Sequence, residues 1–417
     1  MEKRLKRRAE VDLTEFYPGG KRARKDCPYL GQIKRQALDF DFEKQCSETL
    51  SPLNPYACLT CGRYFQGKGK STPAYTHSLE EQHHVYISLT DCTIWCLPDN
   101  YEVEDASLND VKYNLQPHFT PELIGRLDSL SARALDGTEY LPGCLGLNNL
   151  KRTDFVNVAL QALCRVKPIR DFCLLSPPSS SSSDGLFGRF AELVKKIWNP
   201  KNFKGHVSPH ELLQAIVDAS GKRFKIGEQR DPMQFLVWFF NALSDSLGSK
   251  KKTVIEEAFQ GQLSVLGEES APRETKFFYL SLDLPQTPLF KDQHSALQQV
   301  GLTELLAKYR GGKYVLKTLP PYLLIQVKRF TKNQFFEEKN NTIVNFPLRN
   351  LDFSDILPAS YDLIANVVHE GKPDAGTYRA QVRHGEEWYD IQDLHVNKIL
   401  PQQVTVSECY LLLFERQ

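Results

Sequence analysis

The stretch GLNNLKRTDFVNVALQAL, residues 146–163, decides the fold of the larger part of this chain. Thr153 and Asp154 are residue types that suit a helix N-cap, and the segment after them carries apolar side chains at the spacing of a buried helix face. We therefore predict a helix that begins at this point, and we interpret Asp154 as its cap. The apolar positions are Phe155, Val158 or Ala159, Leu160, Leu163 and Val166.

Beyond this helix the pattern changes from helical to strand-like. SPHELLQAIVDAS and DPMQFLVWFFNALSDSLG predict two more helices, and Pro232 suits the first turn of the second. Between them and the first helix, the serine-rich residues 176–185 predict a flexible surface loop. Helices first and a mainly antiparallel sheet afterwards make an α+β fold. The strand-like stretches read FFYLSLDLP, PPYLLIQVKRF, NTIVNFPLRNLDF, YDLIANVVHEG, GTYRAQVR, EEWYDIQDLHV and SECYLLLFER.

The composition is that of an ordinary soluble globular protein of two or three domains. The chain has 417 residues, of which 41% are hydrophobic and 25% charged, and its net charge is +1. No signal-peptide pattern and no apolar run of membrane-spanning length is present, so we expect an intracellular protein that contacts no membrane. The basic clusters MEKRLKRRAE and GGKRARK suit a nuclear-import signal, although a disordered basic tail over residues 1–25 is the alternative.

The cysteines indicate a small metal-stabilised module at the front of the chain. Ten cysteines in 417 residues are too few for a disulfide scaffold, and six of them precede Val111. Cys58 and Cys61 form a Cys-x-x-Cys pair, and His77 followed by His83 (or His84) completes the donor set of a closed tetrahedral zinc site. Buried structural cysteines beside surface histidines are the alternative. The wide histidine spacing disfavours a nucleic-acid-binding finger.

This module resembles the zinc-finger ubiquitin-binding domain found next to many deubiquitinases. The resemblance lies in CLTCGRY, in the histidine-bearing stretch and in HVYISLTDCTIWCLPDNYEV. It implies a structural zinc and makes Arg63, Tyr64 and Trp95 candidate lining residues of a pocket for a ubiquitin C-terminus. Cys27 and Cys46 lack Cys-x-x-Cys partners, so the sequence does not decide whether they form a second zinc site.

Residues from about 140 to 414 resemble the ubiquitin-specific protease family, whose papain-like fold has thumb, palm and fingers. Together with the basic clusters and the Cys/His module, the resemblance predicts four segments: a basic tail over residues 1–25, a small zinc-stabilised α+β domain over 26–122, a linker over 123–139 and the protease-like domain over 140–417. The matching motifs, in chain order, are GLNNLKRTDFVNVALQAL, EQRDPMQFL, FQGQL, FFYLSLDLP, LPPYLLIQVKRF, VNFPLRNLDF, YDLIANVVHEGKPDAGTYRAQVR, EEWYDIQD and ECYLLLFER.

The same motifs imply that the catalytic triad is missing. A papain-like hydrolase needs a thiolate, an imidazole and an orienting Asn or Asp. The three positions hold Asp154, Thr377 and Gln392 instead, and only the oxyanion-type Asn149 remains. Lys151 replaces a glycine three residues before the nucleophile position. We also expect that no other side chain replaces the missing catalytic groups. The candidates for such a rescue are Cys144, Cys164, His384 and an Asp154–Asp393 pair.

Four stretches resemble a protease-dead branch of this family that is associated with the spliceosomal tri-snRNP. They are DFDFEKQCS, YACLTCGRYFQGKG, CLPDNYEVEDASLNDVKYNLQP and LGLNNLKRTDFVNVALQAL. The resemblance to it implies a nuclear, non-catalytic scaffold that supports tri-snRNP assembly or stability and pre-mRNA splicing, with tri-snRNP proteins as partners. A receptor for ubiquitin or a ubiquitin-like protein is the first alternative, and a residual deubiquitinase is the second. Since the sequence shows no strong basic patch in the folded part, we predict no direct nucleic-acid binding.

Overall fold

The computed structural model describes residues 26–177, 185–248, 253–266, 272–286, 298–311, 313–332, 337–373 and 375–417. The predicted basic tail and most of the predicted serine-rich loop lie outside these residues. The chain divides into two compact units. The first consists of Met1–Pro117, Ala134–Gly137 and Lys201–Phe203, and the second of the remaining residues.

The first unit is built on a five-stranded antiparallel sheet with strand order β2-β1-β3-β4-β5. The central strand β3 is buried along its whole length, with Val85 and Ile87 in the hydrophobic core. The elements are β1 (Pro55–Cys58), β2 (Tyr64–Gln66), α1 (Pro73–Glu80), β3 (Val85–Ser88), β4 (Ile94–Cys96), β5 (Tyr101–Glu102) and α2 (Asn109–Leu115). This is the small α+β domain that the sequence predicted.

The second unit begins with helices. The predicted helix after Thr153 is present, and all ten of its residues are buried. The two further predicted helices are also confirmed, and the Asp231 carboxylate caps the second of them by accepting the N–H groups of Met233 and Gln234. The helices are α3 (Pro121–Ile124), α4 (Asp154–Leu163), α5 (Lys167–Leu175), α6 (Leu186–Ile197), α7 (His210–Ala219), α8 (Pro232–Leu247), α9 (Val254–Phe259), α10 (Leu302–Leu306) and α11 (Pro401–Thr405).

Strands dominate the rest of the second unit, as the sequence predicted. An eight-stranded sheet has the order β12-β16-β25-β21-β22-β23-β24, with β20 beside β21, and its one parallel pair is β12–β16. The strands are β6 (Ala132–Arg133), β7 (Glu139–Tyr140), β8 (Gly146–Leu147), β9 (His206–Val207), β10 (Gly261–Val265), β11 (Arg273–Phe277), β12 (Tyr279–Asp283), β13 (Gln299–Gly301), β14 (Arg310–Gly311), β15 (Tyr314–Thr318), β16 (Tyr322–Lys328), β17 (Phe330–Lys332), β18 (Glu337–Lys339), β19 (Ile343–Asn345), β20 (Leu351–Asp352), β21 (Ser360–Glu370), β22 (Thr377–His384), β23 (Glu387–Gln392), β24 (His395–Ile399) and β25 (Cys409–Arg416).

The segment 123–139, predicted to be a linker, instead carries regular structure. It holds the end of α3 and the strand β6, which pairs with β7. The reason is local hydrophobicity, since Ile124 and Leu127 are buried and a linker would leave such side chains in water. Across the described ranges, the helices are all too short or too polar to traverse a bilayer.

Candidate functional site

The start of α4 is fixed by backbone contacts on both sides of the loop that precedes it. Leu147 donates its N–H to the Asp393 carbonyl at 2.9 Å, and Asn148 donates to the Val207 carbonyl at 3.1 Å. Gly146 is required because a Cβ there would come within 2.7 Å of the Leu394 Cα. These contacts place the N-terminus of α4 beside the ends of β22 and β23.

Asp154 is the first residue of α4 and is 4% exposed. Its carboxylate accepts the Tyr378 backbone N–H at 2.8 Å and the Gln229 side-chain amide at 3.0 Å. Gln229 also donates to the Gly376 carbonyl at 3.0 Å. The interpretation of Asp154 as the helix cap is therefore wrong, because Thr153 occupies the N-cap position and Asp154 is the first residue of the helix. The Asp154 carboxylate instead ties α4 to the start of β22 and to the loop before α8.

Two carboxyl groups face a small cavity at this point. Burial raises the pKa of Asp154, the charge of Asp393 raises it further, and hydrogen bonds from the N–H groups of Tyr378 and Phe155 oppose the shift. Burial also raises the pKa of Asp393, against a hydrogen bond from Asn149. The cavity is lined by Leu147, Asp154, Asn157, Val158, Gln161, Tyr378, Ile391 and Asp393.

The other two predicted triad positions, Thr377 and Gln392, carry no basic side chain. Thr377 is the exposed first residue of β22, and a hydroxyl has no useful basicity near neutral pH. Gln392 is the half-buried last residue of β23. Asn149 is engaged in the loop, because its Oδ1 accepts the Thr153 N–H at 2.9 Å while its side chain also bonds Asp393. The retained oxyanion-type residue thus has a local structural role.

Of the side chains considered for rescue, Cys144, Cys164 and His384 lie outside the cavity lining. Cys144 and Cys164 are buried, and burial raises the pKa of the Cys164 thiol to about 12. His384 is the last residue of β22 rather than part of the hairpin turn; burial, with the Arg165 charge, lowers its pKa to about 4. A second buried imidazole, His369 on β21, was missed at sequence level, and burial lowers its pKa to about 4 as well. Among the described residues, the cavity is lined by no cysteine and no histidine.

The loop before α4 holds two charged residues in a backbone conformation that disfavours them. Lys151 and Arg152 have φ angles of 57° and 59°, in the left-handed region. Since this conformation costs roughly 1–2 kcal/mol for a residue with a Cβ, we expect Lys151→Gly to stabilise the protein by about 0.5–1 kcal/mol after the entropy cost of glycine. Urea unfolding measures this change. Lys151→Ala is the matched control, because it removes the charge and keeps the Cβ; equal stability of the two variants would refute the expected strain.

The first unit contains a separate Cys/His cluster. The ligand atoms of Cys58, Cys61, His77 and His83 all lie within 4.8 Å of one another. His77 Nε2 is 3.1 Å from His83 Nδ1 and 3.5 Å from Cys61 Sγ, distances that fit donors around one tetrahedral zinc. The hydrogen bond between the two thiols lowers the pKa of Cys61 and raises that of Cys58, so Cys61 is the thiol that more readily becomes the thiolate that zinc binds. The donor set fits a structural zinc ion.

The structure resolves the choice between the two histidines. His77 lies on α1, and His83 follows the helix, as the sequence predicted. The neighbouring His84 directs its Nδ1 to the Leu97 carbonyl at 2.8 Å and is outside the cluster. Within the described part of the chain no second cluster of this kind occurs. Cys27 instead neighbours Cys96 and Tyr101, and Cys46 Sγ accepts the Thr49 N–H at 3.5 Å.

The three residues suggested to line a ubiquitin pocket differ in position. Arg63 is exposed and Trp95 half-buried. Tyr64, however, is 7% exposed, belongs to the hydrophobic core of the first unit and donates its hydroxyl to the Asp39 carbonyl at 2.5 Å. Tyr64 is therefore a core residue, and the suggestion that it lines an open pocket is wrong.

Two family descriptions match the chain. Residues 145–414 match the family described as "Ubiquitin carboxyl-terminal hydrolase". Residues 44–108 match "Zn-finger in ubiquitin-hydrolases and other protein". The first match contains the cavity with Asp154, and the second contains the Cys/His cluster. The resemblance of both parts, and the structural zinc of the front module, are thereby confirmed.

Individual proteins are similar over nearly the whole chain. "Ubiquitin carboxyl-terminal hydrolase 39" of Homo sapiens is 45% identical, over 95% of this chain and 81% of its own length. "Probable mRNA-splicing protein ubp10" of Schizosaccharomyces pombe is 38% identical, over 93% and 88%. A solved structure entitled "Crystal structure of an essential yeast splicing factor" superposes with a TM-score of 0.85 at 31% identity, over 93% of this chain and 99% of that one.

Proposed function

The chain belongs to the ubiquitin carboxyl-terminal hydrolase family, and from that premise we propose that it is a non-catalytic member that supports pre-mRNA splicing. The observation that carries the proposal is the state of Asp154. A buried carboxylate stands at the nucleophile position and is bound by the Tyr378 N–H and the Gln229 amide. Relatives over nearly the full chain are named as splicing proteins.

Several features support the absence of hydrolysis. Amide cleavage by this fold uses a thiolate that is activated by an imidazole. A carboxylate that accepts two hydrogen bonds is a poor nucleophile, and the hydroxyl of Thr377 cannot act as its base. Asn149, which would supply an oxyanion donor, is already bonded to Asp393. Asp154, Thr377 and Gln392 thus form a degenerate triad in this proposal.

The splicing role is that of a scaffold in the nucleus. In this proposal the folded units bind proteins of the tri-snRNP and support its assembly or stability, and the basic clusters before residue 26 direct nuclear import. The zinc ion, held by Cys58, Cys61, His77 and His83, keeps the front domain folded. The domain limits proposed are 26–122 and 140–417, with the structured segment 123–139 between them.

The absence of activity is tested with a ubiquitin probe that carries a C-terminal electrophile. We expect no covalent capture of the wild-type chain, because the described cavity offers no thiol to the electrophile. An active member of the family, treated in parallel, reports that the probe is competent. Capture of the wild-type chain that disappears on mutation of one cysteine would show a residual deubiquitinase and contradict the proposal.

The scaffold role is tested by affinity purification of the tagged full chain from nuclear extract at moderate salt, with identification of bound proteins and RNAs. Small nuclear RNAs together with spliceosomal proteins are the expected result. Ubiquitin conjugates without those RNAs would instead identify a ubiquitin receptor. A Cys58→Ser, Cys61→Ser variant shows whether the zinc domain is needed for the association.

A further inference from the structure

Two loops beside the start of α4 bring together a set of basic side chains that the sequence keeps apart. One loop carries Lys151 and Arg152, and the other is GKRFKIGEQR, residues 221–230. We call the exposed basic residues of these loops the basic rim. Its members are Lys151, Arg152, Lys222, Arg223, Lys225 and Arg230.

One contact joins the two loops, and two further contacts join the second loop to α4. Gly227 donates its N–H to the Lys151 carbonyl at 2.8 Å. The Phe224 ring is buried and lies 6.2 Å from the ring of Phe155 in the first turn of α4. Gln229 bonds Asp154 at 3.0 Å. The backbone of the basic rim is therefore anchored on a buried helix, and its six basic side chains are exposed.

Few acidic groups oppose this charge. Glu228 pairs with Arg230 at 2.7 Å and with Lys225 at 3.8 Å, both at exposed positions where ion pairs are weak. Asp218, in the preceding helix, accepts from the Gln214 amide. For the other four members, Lys151, Arg152, Lys222 and Arg223, the described residues provide no acidic partner in an ion pair.

The left-handed backbone at Lys151 and Arg152 adds an independent argument. Strained conformations persist where the surrounding structure and a function require them. Glycine and asparagine relieve the strain at such positions, yet this chain keeps a lysine and an arginine there. A role for the two charged side chains explains why the strain is retained.

We propose that the basic rim binds the phosphate backbone of single-stranded RNA. Adjacent cations can neutralise successive phosphates, and arginine forms bidentate contacts with them. Phe224 is buried, so the rim offers no ring from this loop for base stacking, and the binding should be independent of sequence. RNA is preferred to an acidic peptide because the inference rests on the proposed splicing function. Such binding would run against the sequence-based prediction of no direct nucleic-acid binding.

The test measures the affinity of the full chain for an unstructured 20-nucleotide RNA by fluorescence anisotropy over a series of salt concentrations. The variant carries Lys151→Gln, Arg152→Gln, Lys222→Gln and Arg223→Gln. Since each neutralised phosphate contributes about 0.7 to the slope of log affinity against log salt, we expect the slope to fall by about 2–3 and the affinity at 100 mM salt to fall at least ~10-fold.

The matched control loses the same number of charges at positions outside the two loops, all exposed and on or beside β11 and β15. It carries Arg273→Gln, Lys276→Gln, Lys313→Gln and Lys317→Gln. It should bind RNA within about twofold of the wild type, because its rim is intact. The basic residues 1–25 are common to all three proteins, so their contribution cancels. Photo-cross-linking followed by peptide mapping should recover RNA on peptides that contain residues 151–152 or 221–230.

Several results would overturn the proposal. Equal weakening in both variants would show a general charge effect, and cross-links confined to residues 1–25 would assign binding to that segment. Rim-dependent binding of an oligoglutamate peptide without RNA binding would identify an acidic protein as the partner. The scaffold role is judged separately: a rim variant that loses RNA affinity but still co-purifies with spliceosomal proteins leaves that role intact. RNA binding without such proteins keeps the rim and removes the splicing role.

Discussion

Replacement of Cys58 by serine is expected to unfold the first unit and to abolish stoichiometric zinc binding. Cys58 ends β1 and is fully buried, and its sulfur lies within 4.8 Å of the other three donor atoms. Zinc sites of this type contribute roughly 10–16 kcal/mol of apparent binding energy, which is more than the stability of a small domain. Zinc content by mass spectrometry and amide hydrogen exchange of β1 and β3 measure the effect.

The control for this prediction is Cys92→Ser. Cys92 is half-buried in the same unit and lies outside the Cys/His cluster, so the variant should keep one zinc and the exchange protection of β3. A strong chelator should reproduce the effect of Cys58→Ser on the wild-type chain. A Cys58→Ser protein that keeps a full equivalent of zinc and a protected sheet would exclude the proposed ligand set.

Asp154→Ala is expected to destabilise the second unit by about 3 kcal/mol. The substitution leaves the Tyr378 N–H and one amide proton of Gln229 without an acceptor in a buried setting, and each such loss costs about 1–3 kcal/mol. Denaturant unfolding followed by a probe of the β21–β25 region measures the change. Asp355→Ala, which removes an exposed ion pair with Arg310, should cost less than about 1 kcal/mol.

The isosteric variant Asp154→Asn separates the acceptor role from the charge. Burial raises the pKa of Asp154 in the folded protein, so folding favours its protonated form. The free energy of unfolding of the wild type, relative to that of Asp154→Asn, should therefore be highest below the pKa of this aspartate in the unfolded chain, which is about 4. It should fall as the pH rises through the raised pKa of Asp154 in the folded protein. A difference between the two proteins that is constant with pH would show that the carboxylate is not desolvated.

Local sequence signals predicted most of the architecture. The apolar spacing after Asp154 gave a buried helix, and Asp231 followed by Pro232 is a strong helix start that the structure confirms. The Cys-x-x-Cys pair and the helical histidine placed the zinc donors, because the chemistry of the ligands restricts their spacing. These predictions succeeded because each depends on residues that are close together in the chain.

The features that sequence reasoning missed depend on residues far apart. The bond from Tyr378 to Asp154 spans 224 residues, and the bond from Gln229 spans 75. The basic rim consists of residues from two separate segments of the chain, so neither loop by itself indicated a basic patch. Tyr64 was suggested for a pocket because of its position in a motif, yet burial in the core could be seen only once the sheet was assembled.

The hydrogen bonds to Asp154 have an evolutionary consequence. A single mutation that introduced a cysteine at position 154 would remove the acceptor for the Tyr378 N–H and the Gln229 amide, at a cost of a few kcal/mol by the same reasoning. Such a variant would still have threonine rather than histidine at position 377, so it would lose stability before it gained an activated thiolate. Selection would remove this intermediate, so under the proposed function single substitutions would not lead the chain to protease chemistry.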